Sequence, residues 1–77
     1  MKPKHDIRNH LKRHRLLADG MTQQGLADRV GVTRQTILSI EKSRYNPTIG
    51  LALRLAKALA VSVEDLFVLR EGESVES

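Results

Sequence analysis

Arg34, Gln35, Leu38, Ser39 and Lys42 are the residues whose types and spacing could do chemistry. At about 100° per residue they fall on one face of a helix running from about Arg34 to Lys42. Ile37 and Ile40 point the other way, flanked by Thr33 and Thr36. The outer face offers a bidentate donor that fits guanine and a carboxamide that fits adenine. It adds an adaptable hydroxyl and an apolar group able to meet a thymine methyl. A helix face that is merely solvated would more often carry Glu and Lys. The chemistry on offer is hydrogen bonding to base edges, not bond making.

Bond-making chemistry finds little support elsewhere. There is no cysteine, hence no thiol nucleophile, disulfide framework or cysteine zinc site. No Gly-rich phosphate loop is present. The Ser and His residues show no triad pattern, and carboxylates pair only toward the C-terminal end. His10 and His14 lie four apart on one helix, but a metal site wants a third or fourth ligand and none is suitably spaced. The better reading of His14 is a partly buried imidazole bonded to backbone or water. With so small a core, a substrate-sized pocket is not expected. We therefore expect no enzyme, cofactor, metal or small-molecule ligand.

The helix carrying these residues must be held by its neighbours. Thr22 can cap a helix from about Gln23 to Val30, Gly31 can end it, and Thr33 can cap the next. Two helices joined by a short Gly-containing turn make a helix-turn-helix. Leu26, Ala27 and Val30 face inward, and Gly25 weakens the first helix by about 0.5–1 kcal/mol relative to Ala. Gln23 sits where backbone N–H groups and the helix dipole favour a phosphate. Upstream, Ile7 to Ala18 has helical spacing with Asp6 as N-cap. Ile7, Leu11, His14 and Ala18 share a face, with Arg8, Lys12 and Arg15 on others. Asp19-Gly20 ends that helix and Met21 packs ahead of the Thr22 cap. Downstream, residues 43–48 form a loop from which Arg44 and Tyr45 reach backbone phosphates, although Tyr45 can equally pack its ring on the core. Thr48 caps a helix over 49–59, and Ser62 caps a short fifth helix with Asp65 as an imperfect capping box. The expected core is Leu11, Leu26, Ala27, Val30, Ile37, Ile40, Leu51, Leu55, Leu59 and Leu66.

Seventy-seven residues allow one domain with a small core. The expected division is a flexible N-terminal arm over 1–6, a helix-turn-helix domain over 7–69 and an acidic, disordered tail over 70–77. Net charge is +4, with basic residues crowding 2–15 and 29–57 and acidic ones crowding the C-terminal end. A basic body suits a polyanion. Two aromatic residues, Tyr45 and Phe67, are too few for a base-stacking single-strand platform. The start MKPKHDIRNH lacks a signal-peptide core, and no apolar run approaches a membrane span. A cytoplasmic location is expected.

The order and spacing of several pieces resemble the Cro/C1-type (XRE-family) helix-turn-helix, in particular small stand-alone bacterial regulators. The pieces are Thr22-Gln23-Gln24, Leu26-Ala27, Val30 through Ile37, Ile40-Glu41, Tyr45-Asn46-Pro47 and Val61 through Phe67. The likeness spans roughly residues 7–68. It implies an all-α, five-helix lambda-repressor-like domain that binds double-stranded DNA and regulates transcription, usually as a repressor. Carried over by position, Arg34, Gln35, Leu38 and Ser39 would read bases. Gln23, Thr33, Lys42, Arg44 and Asn46 would hold phosphates. Phe67, Val68 and Leu69 exceed what one small domain covers and would pair with a twin subunit, or else fold back on the first helix. The chain departs from the family pattern at His14, where relatives are apolar, and by one extra residue before Thr22, so that helix would sit rotated or end in a longer turn. Two other functions compete: an antitoxin that also represses its own promoter, and a protein-interaction module using the scaffold without DNA. The short C-terminal segment disfavours the first, and the polar outer helix face the second.

Overall fold

The computed structural model describes residues 7–69. They form β1 (Ile7–Asn9), α1 (Leu11–Leu17), α2 (Gln23–Val30), α3 (Arg34–Glu41), α4 (Ile49–Leu59), α5 (Val63–Leu66) and β2 (Phe67–Leu69). Four of the five helices start at a hydroxyl. Thr22, Thr33, Thr48 and Ser62 have extended backbone, and their side-chain oxygens accept from the N–H groups of Gly25, Thr36, Leu51 and Asp65. Each such cap is worth about 1 kcal/mol, and together they set where the helices begin. At Ser62 the capping box is complete, because Asp65 Oδ2 accepts from Ser62 N at 3.0 Å. That backbone bond, and then the Ser62 hydroxyl, hold the Asp65 carboxyl below the usual aspartate range.

Helix exits depend on left-handed residues. Gly31 ends α2 at φ 78°, which only glycine adopts without strain. Ala60 takes the same role after α4 at φ 59°, and Val61 N–H closes the turn onto Ala56 O at 3.0 Å. The turn after α1 contains two left-handed residues in succession, Asp19 and Gly20.

Every residue expected in the core is buried, and Ala56 joins them. Leu11, Leu26, Ala27, Ile37, Leu55 and Leu66 are fully shielded. Ala27 lies on α2, the helix that packs against both α3 and α4, and a larger side chain would hold those helices apart.

Two expectations fail at the ends of the fold. Residues 7–9 are not the first turn of a helix capped by Asp6. They form β1, antiparallel to β2, in the register Ile7↔Leu69, Arg8↔Val68 and Asn9↔Phe67. α1 starts only at Leu11, after His10 N–H has bonded Leu66 O at 2.8 Å. The fold is thus mostly helical with a two-stranded sheet, not purely all-α. Extended pairing wins over helix here because it joins the two ends of the described chain and lets Phe67 pack on the core. Arg15 is the second correction. It is buried together with Leu11 rather than set on a different face from it. The expectations for residues 1–6, including the Asp6 cap itself, and for 70–77 lie outside the described residues.

Candidate nucleic-acid interface

α3 presents the expected face. Arg34 and Gln35 are exposed, and Leu38 and Ser39 are half-buried on the same helix. Gln35 Nε2 lies 3.5 Å from Ser39 Oγ, a contact too long to tie up the amide. Ile37 and Ile40 anchor the opposite side in the core. Thr33 uses its hydroxyl oxygen as the α3 cap and also lies 3.1 Å from Thr36 Oγ1, so it sits at the helix entrance with N–H groups beside it. An anion near that entrance is favoured by the helix dipole.

Lys42, Arg44 and Asn46 leave α3 on its far side, all exposed. Tyr45 is 42% exposed and so neither free nor fully packed. The turn that aims these residues has two closing bonds: Ser43 N–H to Ile40 O at 2.9 Å and Arg44 N–H to Ser39 O at 2.9 Å. This is the Schellman pattern, with Ser43 in the left-handed position at φ 59°. A non-glycine residue there costs about 1–2 kcal/mol.

Glu41 is the one acidic residue between positions 29 and 57. It turns inward, and its side chain is 4% exposed. Arg15 Nε donates to Glu41 Oε2 at 2.7 Å and Arg15 Nη2 to Oε1 at 3.3 Å. Arg15 Nη1 donates to Met21 O at 2.6 Å, just ahead of the Thr22 cap. Gln23 Nε2 donates to Glu41 Oε1 at 3.0 Å. The arrangement ties α1, the start of α2 and the end of α3 together. It also removes the carboxylate from the outer surface, so Arg34, Lys42 and Arg44 face solvent with no exposed acid among residues 29–57. Gln23 is half-buried, and this bond occupies one of its two amide hydrogens. The other hydrogen is what remains for a phosphate.

Sequence reasoning missed three residues of this assembly: Arg15, Glu41 and Asn9. Arg15 lies four residues after the buried Leu11, which was a usable signal. A lone acid inside a basic stretch was the corresponding signal for Glu41. For Asn9 there was none, since the two acceptors of its amide group lie more than thirty residues away. The proposed dimer segment is divided: Phe67 and Val68 are half-buried in this chain, and Leu69 is 65% exposed.

Comparison with known proteins places this arrangement in a family. The helix-turn-helix family model matches residues 11–66, which is α1 through α5. A 67-residue stretch is 43% identical to an uncharacterised HTH-type transcriptional regulator of Methanocaldococcus jannaschii, covering 87% of this chain and all of that one. A second such regulator, from Methanothermobacter thermautotrophicus, is 57% identical over 68% of this chain and 77% of its own length. A third, YgzD of Bacillus subtilis, is 48% identical over 68% of this chain and 79% of its own. The likeness is thus not confined to bacterial regulators. The chain belongs to the Cro/C1-type (XRE) family of DNA-binding helix-turn-helix transcription regulators.

Proposed function

We propose that this regulator binds a specific double-stranded DNA site as a homodimer, in the cytoplasm, and represses transcription by occupying that site. α3 lies in the major groove. Arg34, Gln35 and Ser39 read base edges and Leu38 meets a methyl group. Gln23, Thr33, Lys42, Arg44 and Asn46 hold phosphates, which set the register and most of the affinity. The observation that carries this reading is the inward turn of Glu41. With that carboxylate paired to Arg15, the whole face from Arg34 to Arg44 offers donors and positive charge. A steric block needs only occupancy of the site, whereas activation needs an additional polymerase contact. No catalytic step enters this function.

The dimer reading is supported by β2. Leu69 is exposed, and among the described residues only one edge of β2 is paired. A second copy adding to the free edge would cover that apolar side chain and satisfy the open N–H and C=O groups. Two recognition helices would then read half-sites about 34 Å apart on an inverted repeat. Sedimentation at tens of micromolar, with and without a bound duplex, is expected to give the mass of two chains. One chain's mass under both conditions would refute the dimer.

Arg44→Ala is expected to weaken binding to matched and random duplexes alike. It should also lower the slope of log affinity against log salt by about 0.9, the share of one phosphate contact. An unchanged slope on random DNA would remove Arg44 from the phosphate set.

A further inference from the structure

The terminal sheet reaches the recognition helix through one side chain. Asn9, on β1, directs its carboxamide away from the sheet. Its Nδ2 donates to Ile40 O at 3.0 Å and to Ser43 Oγ at 3.0 Å. Its Oδ1 accepts from Leu11 N–H at 3.3 Å, at the start of α1. Both amide hydrogens and one lone pair are therefore used, and the group is fixed in orientation. The two acceptors belong to the turn that ends α3. Ile40 O already takes the Ser43 N–H, and Ser43 is the residue held left-handed without being glycine.

We infer that Asn9 is a positioning residue for DNA binding: it holds Ser43 in the left-handed turn and thereby aims Lys42, Arg44 and Asn46 at the phosphate backbone. The inference rests on the DNA-binding reading proposed above. Ser43 is costly in this conformation, yet its hydroxyl supplies an acceptor that glycine lacks. The bond to Asn9 offsets that cost and locks the turn. Without it the left-handed geometry is no longer favoured, the Arg44 N–H to Ser39 O closure opens, and the cations after α3 swing free. Phosphate contacts are then made less often, although the base-reading face from Arg34 to Ser39 keeps its shape.

The test compares wild type with Asn9→Ala, Ser43→Gly and the double variant, on a random-sequence duplex over a range of salt. Asn9→Ala is expected to bind about three- to tenfold more weakly at near-physiological salt, with the salt slope lowered by about 1–2, one or two phosphate contacts. Adding Ser43→Gly to Asn9→Ala should restore most of that slope, because glycine adopts the turn without support. Hydrogen exchange should show the Arg44 amide exposed in Asn9→Ala and the Leu26 and Leu55 amides still protected. Loss of slope with no recovery by glycine would reduce Asn9 to a general stabiliser and overturn the inference. So would an unchanged slope with a protected Arg44 amide. If wild type itself shows no salt-dependent duplex binding, the DNA-binding reading fails and takes this one with it. If Asn9→Ala does not fold, Ser43→Ala decides the question, since it removes only the hydroxyl acceptor. It should lower the slope in part, and an unaltered slope would refute the role.

Discussion

Glu41→Ala is expected to cost about 3–5 kcal/mol of folding free energy, the typical loss when one member of a buried ion pair is removed. The Arg15 guanidinium would remain in the interior, with its side chain 7% exposed in the native fold and only Met21 O left of its partners. A domain of this size has a total stability of only about 4–12 kcal/mol. The variant should therefore lose at least about a quarter of its stability, and all of it if wild type lies at the low end of that range. The cost comes from the stranded charge, not from the intrinsic worth of the pair. An Arg15→Met/Glu41→Leu double variant, which leaves no charge behind, should recover most of the loss. Urea unfolding with an unchanged slope would measure all three proteins. A Glu41→Ala protein within about 1 kcal/mol of wild type would mean that water reaches the pair and solvates the arginine.

The largest functional effect is expected from Arg34→Ala with Gln35→Ala. Each bidentate contact to a base is worth about 1–3 kcal/mol of discrimination, so the pair should cost about 2–6 kcal/mol at the matched site. Both residues are exposed on the first turn of α3, so neither truncation opens a cavity. Folding stability should change little. Random duplex binding should fall far less than matched binding, since Lys42, Arg44 and Gln23 remain. Arg34 carries one charge, and its loss alone accounts for a small, sequence-independent part. Equal losses on matched and random DNA would show that neither residue reads bases.

How far these features were legible in the sequence follows from how local they are. The caps at Thr22, Thr33, Thr48 and Ser62 act on N–H groups three residues away, and a short window reveals them. The 3.6-residue spacing of Leu26, Val30, Ile37, Ile40, Leu51, Leu55 and Leu59 likewise announces a helical core. β1 and β2 escaped because each is three residues long and their partners are sixty residues apart, so neither shows a period by itself. Residues 7–9 also carry a helical phase that continues into α1, and local pattern favoured the wrong state until Phe67–Leu69 returned to pair with them. Arg15 is set apart from the Leu11 face by its charge, and only Glu41 on another helix accounts for its burial. The outer face of α3 was legible as a set of residue types. The support beneath it, with Glu41 holding Gln23 and Asn9 holding Ser43, depends on contacts eighteen and thirty-four residues apart in the chain. Such contacts leave no mark on a local pattern.

The central claim is that the α3 face reads duplex sequence. It is tested most directly by selecting bound fragments from a random duplex library at near-physiological salt, with the Arg34→Ala/Gln35→Ala protein run in parallel. We expect wild type to enrich an inverted repeat with half-sites about one helical turn apart, and the double variant to lose that motif. No enrichment, or the same weak enrichment with both proteins, would contradict the account and direct the search to protein partners.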